Sequence, residues 1–79
     1  MSPTVFRHGP VRFFFFSREE PRIHIHVLGP SGEAKFWMEP VVSCASHTEL
    51  PGHELLRLQR IIEEHREEIL NAWHRHFPG

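Results

Sequence analysis

The chain has 79 residues, with nine Lys and Arg against ten Asp and Glu; its eight histidines would carry the formal net charge from −1 to +7 if all were protonated. That length makes one modest domain, burying roughly 60–65% of its unfolded surface, and leaves no room for a second catalytic domain or a two-part dinucleotide fold. The near-balanced charge excludes the basic excess of a dedicated DNA-binding domain, and the single cysteine, Cys44, excludes an internal disulfide framework.

One thiol fits a reducing cytosol, no stretch reaches the ~20 apolar residues of a membrane span, and Met1–Arg7 lacks the pattern of a signal peptide. A single cytoplasmic domain over residues 1–79 is expected, with no membrane partner.

Thr4–Arg7 reads as a short strand around Val5 and Phe6, ended by the turn signal Gly9-Pro10. Val11–Ser17 is an aromatic run bounded by turn residues, which suits a second strand. Period two sends Phe13 and Phe15 to one face and Phe14 and Phe16 to the other. Both faces are apolar, so this strand is central or meets a partner. Ser17–Arg22 is polar, holds Pro21 and reads as a loop.

Ile23–Leu28 is the third strand, Gly29-Pro30-Ser31-Gly32 its turn, and Glu33–Glu39 the returning strand, ended by Pro40. Pairing residue 28 with 33 sets 26 opposite 35, 25 opposite 36 and 24 opposite 37. Ile23, Ile25, Val27, Ala34, Phe36 and Met38 then share one face. His24, His26, Leu28, Glu33, Lys35, Trp37 and Glu39 share the other, and the apolar face is the one to be buried.

Val41–Pro51 is a connector. From Gly52, Leu55, Leu58, Ile62, His65, Ile69, Ala72 and His76 recur at spacings of three and four, widened by Ile61, Trp73 and Phe77. Pro51 suits the first helical turn. Glu49 and Glu54 sit at the end the dipole favours for acids, Arg75 and the last histidines at the end it favours for cations, and Pro78-Gly79 stops the run. One helix over 52–77 would be ~39 Å long, long for this domain, so the run is expected as one long helix or as one broken near Glu64–Arg66. The expected fold is α+β: a small antiparallel sheet of three or four strands (residues 1–40), a connector (41–51), and one long or broken C-terminal helix (52–77) packed on one face.

Pro21, His24 and His26 flanking Ile25, then a short turn and Glu33-Ala34, form a pattern that resembles the small bacterial family called domain of unknown function 4160. Arg22 stands where the pattern has a second proline, and Ile23 is added before the first histidine. Pro3-Thr4-Val5-Phe6, and His65-Arg66-Glu67-Glu68-Ile69-Leu70 followed by Trp73, also fit, so the resemblance spans nearly the whole chain. It implies a small α+β fold and an operon-encoded protein, often beside another small gene of unknown function, in toxin–antitoxin-like surroundings. It implies no established activity.

Two residues apart on a strand, His24 and His26 send both rings out of one face, their Cβ atoms roughly 6–7 Å apart. Such a pair can grip one divalent metal or one phosphate, and with a carboxylate from Glu33 it suits Zn²⁺ or Fe²⁺. The same groups suit acid–base chemistry on a phosphodiester, because histidine titrates near neutrality. Ordinary solvated residues on an open sheet are the plain alternative. His65 lies inside the apolar stripe and reads as a core histidine bonded to a backbone carbonyl or to Glu68. To join His24 and His26 as a third catalytic residue, it needs the helix end to wrap a sheet edge, or a second subunit.

Trp37 stands opposite His24, with Lys35 and Arg22 beside it. Such a trio suits a protein interface, the preferred reading here, and also suits RNA, by stacking a nucleobase. Phe14 and Phe16 extend the patch if they share that face. Glu63, Glu64, Glu67 and Glu68 read as a solvated helix face offset by Arg60 and Arg66. Cys44 and His47 make a nucleophile pair by spacing alone. No glycine-rich phosphate loop, paired CxxC or GxSxG elbow is present. The expected function is a small toxin–antitoxin-type component acting through protein–protein contact, as a homodimer or with a small cognate partner. The alternative is a small ribonuclease or metal-dependent phosphodiesterase using His24, His26 and either His65 or Glu33. A binding module without catalysis is the third class.

Overall fold

The computed structural model describes residues 4–16 and 21–78. Pro3 of the N-terminal motif, Ser17 at the expected end of the aromatic strand, residues 18–20 of the expected loop, and Gly79 lie outside the described residues. Five strands, β1 (Thr4–His8), β2 (Val11–Phe14), β3 (His24–Gly29), β4 (Gly32–Trp37) and β5 (Ser43–Thr48), form one antiparallel sheet in chain order. Two helices follow, α1 (Gly52–Glu64) and α2 (Arg66–His76).

Each hairpin follows from its turn. Gly9 takes φ 59°, a left-handed value that glycine adopts without a Cβ penalty, and lets His8 pair with Val11. Gly29 pairs with Gly32 across Pro30-Ser31, and the β3–β4 register is the expected one: Leu28 with Glu33, His26 with Lys35, Ile25 with Phe36, His24 with Trp37.

The sheet has five strands, rather than three or four, because Ser43–Thr48 adds to β4 within what reads as a connector. Its sequence, Ser-Cys-Ala-Ser-His-Thr, carries no run of alternating large apolar side chains, so the backbone ladder that makes it a strand leaves no trace in hydropathy. The β4–β5 register shifts between Lys35 and Phe36, an irregularity typical of a sheet margin.

Of the two alternatives the sequence left open, one long helix or a broken one, the structure has two helices, meeting at His65. A continuous ~39 Å helix would exceed the longest dimension of the molecule, 36 Å. The His65 amide still bonds Ile61 and Ile62 carbonyls at 3.2 and 3.1 Å, and α2 restarts with Ile69 N–H to the His65 carbonyl at 2.9 Å.

Both helices pack on one sheet face. Phe13, Ile25, Phe36, Met38, Ile62 and Ile69 are fully shielded from solvent there, and Phe15, Val27, Leu58 and Trp73 belong to the same core. Phe77 is half-buried rather than buried, and His76, although on the stripe, is exposed. The acidic run Glu63, Glu64, Glu67 and Glu68 is solvent-exposed.

Candidate binding face

The opposite sheet face carries the polar and aromatic residues in three rows. Strand pairing aligns Phe14, His26, Lys35 and Ser46 in one row; Arg12, Leu28, Glu33 and Thr48 in the next; and His24, Trp37 and Ser43 in the third. The expected site residues Arg22, His24, His26, Glu33, Lys35 and Trp37 therefore belong to this face or its margin. Sequence reading left out Arg12, Ser46 and Thr48. Arg12 alternates with Phe14 along β2 and was findable by period; Ser46 and Thr48 sit on the strand that hydropathy does not reveal.

Cations and rings are interleaved. The Arg22 guanidinium lies 4.1 Å from the centre of the Trp37 ring and the Lys35 ammonium 4.6 Å from it, while Arg12 lies 4.5 Å over Phe14. Arg22 also donates to the Glu39 carbonyl at 3.3 Å, and Arg12 Nε donates to Thr4 Oγ1 at 2.6 Å. The Glu39 carboxylate turns to Arg66, at 3.9 Å.

His24 is not on an exposed surface, as the sheet pattern predicts, but fully buried. β2 pairs with β3 only as far as His26, through Phe14, so no β2 residue stands beside His24. Its ring meets Trp73 of α2 at 5.2 Å, Trp37 at 5.7 Å and His26 at 5.1 Å. Its Nδ1 lies 2.6 Å from the Arg22 carbonyl. A carbonyl only accepts, so Nδ1 carries the proton and donates. His26 is half-buried, its ring held between Phe14 at 5.6 Å and Phe16 at 4.4 Å. Phe14 is buried, whereas Phe16 is 46% exposed.

His65 is not brought to the strand histidines. Its ring stacks on Phe6 of β1 at 4.1 Å, and Phe6 stacks in turn on the core residue Phe13 at 4.4 Å, on the helix side of the sheet. Its Nδ1 donates to the Ile61 carbonyl at 2.8 Å, so a backbone carbonyl, rather than Glu68, holds it. The Cys44 thiol points to the Ser46 carbonyl at 3.5 Å, and burial pushes its pKa up, against nucleophilic use.

A shallow cavity of about 250 Å³ lies between the strands, lined by Phe16, His26, Glu33, Lys35, Ser46 and Thr48, with Ala34 and His47. Ala34 and His47 are register partners, and the Ala34 side chain is buried on the helix side. Strand alternation sends the His47 side chain the same way, leaving His26 as the imidazole the alternation directs into this cavity. Among the described residues, no three His, Cys, Asp or Glu side chains come together to hold a metal ion. No helix among them is long and apolar enough to cross a membrane.

Residues 11–74 match the family model described as domain of unknown function (DUF4160), and the chain belongs to that family. No curated protein matches the chain, and no solved structure does.

Proposed function

We propose that this domain is a component of a small toxin–antitoxin-type pair in the cytoplasm, working by protein–protein contact through the outer face of its sheet. One observation carries the reading. Phe16 and Leu28 stand 46% and 44% exposed on the face turned from the helices, beside Trp37 and the cations Arg12, Arg22 and Lys35. Exposed apolar side chains clustered with Trp and Arg have the composition of an interface hot spot. The toxin–antitoxin setting rests on the family resemblance, and the partner is a small cognate protein or a second copy. Co-expression with the product of the adjacent gene tests it. Tagged wild-type chain should retain the partner, or run at dimer mass alone; Phe16→Ser should lose it while melting at an unchanged temperature. Retention by a folded Phe16→Ser, Trp37→Ala double variant overturns the reading.

A second reading, phosphodiester cleavage, is favoured by the cavity that gathers His26, Lys35 and the hydroxyls of Ser46 and Thr48. It relies on His26 alone as acid or base, since His24 is buried and His65 lies across the sheet. RNA cleavage that His26→Gln abolishes would establish it.

A further inference from the structure

We infer that β5 is the seam of a homodimer, in which two copies of this chain pair antiparallel along their β5 edges and join their sheets into one. The inference concerns the sheet margin and does not draw on the outer face.

The direction of the main chain carries it. The Met38 N–H donates to the Ile23 carbonyl at 3.0 Å, so Met38 turns its backbone groups toward β3. Alternation turns Phe36 and Ala34 the same way, and turns Glu33, Lys35 and Trp37 toward β5. Their register partners Thr48, Ser46 and Ser43 answer from β5. His47 and Cys44, opposite Ala34 and Phe36, therefore turn N–H and C=O away from the sheet. Among the described residues nothing takes these groups up: β5 is the last strand, and no backbone hydrogen bond outside the sheet reaches it. The irregularity at Ala45 does not spoil this rim. It absorbs one residue, so Cys44 and His47 stand opposite residues two apart on β4, one ladder repeat of roughly 7 Å.

This rim fits a second copy. In a two-fold antiparallel pairing, Cys44 of each copy meets His47 of the other, and each pair exchanges both its N–H···O bonds. Ser43 then falls opposite Thr48, and Ala45 opposite Ser46. No like charges meet, because β5 holds no Lys, Arg, Asp or Glu. Edges built to stay unpaired carry charge or proline; β5 has neither, whereas β1, the other edge, carries Arg7. A foreign strand is selected by pockets for its alternate side chains. Along β5 the side chains are small apart from His47, and all but the half-buried Ser43 are exposed. Val41, at 67% the most exposed large apolar side chain among the described residues, lies two residues before β5, so an open apolar group and the unpaired rim lie together.

Sedimentation of the full chain at rising concentration, to about 1 mM, tests this. The wild-type chain should reach dimer mass, and the amides of Cys44 and His47 should exchange more slowly as it does. His47→Pro removes an outward N–H and no bond to β4, so it should stay monomeric at an unchanged melting temperature. If proline unfolds the strand, the double variant Cys44→Lys, His47→Lys decides. It sets like charges opposite one another across the seam and should weaken dimerisation at least tenfold, with recovery on mixing with Cys44→Glu, His47→Glu. A wild-type chain that stays monomeric throughout, or dimer mass kept by the folded edge variants, overturns the inference. Edge and face fail differently. A dimer lost with Phe16→Ser but kept by the edge variants belongs to the outer face and ends the β5 inference. A dimer kept by Phe16→Ser and lost with the edge variants belongs to β5.

Discussion

The imidazole of His24 packs against the indole of Trp73, ring centres 5.2 Å apart and planes at 61°. The contact joins a strand residue that alternates away from the core to a helix residue that belongs to it. β2 pairs with β3 no further than Phe14, opposite His26, so no β2 residue is paired with His24.

Trp73 holds that end of the domain. It is buried, with Phe15 at 5.3 Å and Phe77 at 4.4 Å on its other sides. Trp73→Ala should therefore destabilise the fold by about 3–5 kcal/mol. Urea denaturation followed by circular dichroism measures this, and a loss under about 1 kcal/mol would show that α2 docks without its indole.

The two strand histidines should separate cleanly. His24→Ala removes a fully buried ring and the partner of the Arg22 carbonyl, and should cost about 2–4 kcal/mol. His26→Ala removes a half-buried ring and should cost about 1 kcal/mol. An assay of both should show partner loss without unfolding for His26→Ala. For His24→Ala, any loss of binding should follow loss of fold.

Gly32 is a packing requirement. A Cβ there would overlap the Thr48 carbonyl oxygen and press on Leu50 at 3.3 Å. Backbone cannot swing aside as a flexible side chain can, so Gly32→Ala should cost about 2 kcal/mol or more. Amide exchange should locate the damage: faster exchange in Ser43–Thr48 first. A neutral substitution would mean that β5 is not pinned to the β3–β4 turn.

Desolvation raises the Cys44 pKa above the ordinary thiol value, outweighing a backbone hydrogen bond of Ser46 that lowers it. The folded chain should be alkylated by iodoacetamide with a higher midpoint pH than the urea-unfolded chain. The sign for stability follows. An acid weakened by folding leaves the unfolded state more readily ionised, so this contribution is intact below the unfolded thiol's pKa and is lost as pH rises through the folded value. Cys44→Ser should remove that alkaline dependence.

Much of the architecture was legible because short-range rules sufficed. Alternation and the Gly29–Gly32 turn determined the β3–β4 register residue by residue. The three-and-four spacing indicated the side of α1 and α2 that enters the core, while the length of the periodic run only raised a break as an alternative to one long helix, and the structure has it at His65. The candidate face was legible in the same way, as the residues that alternation turns from the core.

Tertiary structure alone decided three matters. It made Ser43–Thr48 a strand, since backbone ladder bonds carry no side-chain signature. It buried His24, since alternation gives the face from which a ring emerges but not whether another element closes over it. It also kept His65 from the strand histidines. A helix stripe fixes only which side of the helix a residue occupies; in the folded chain the His65 ring at the α1–α2 junction lies on Phe6, on the helix side of the sheet.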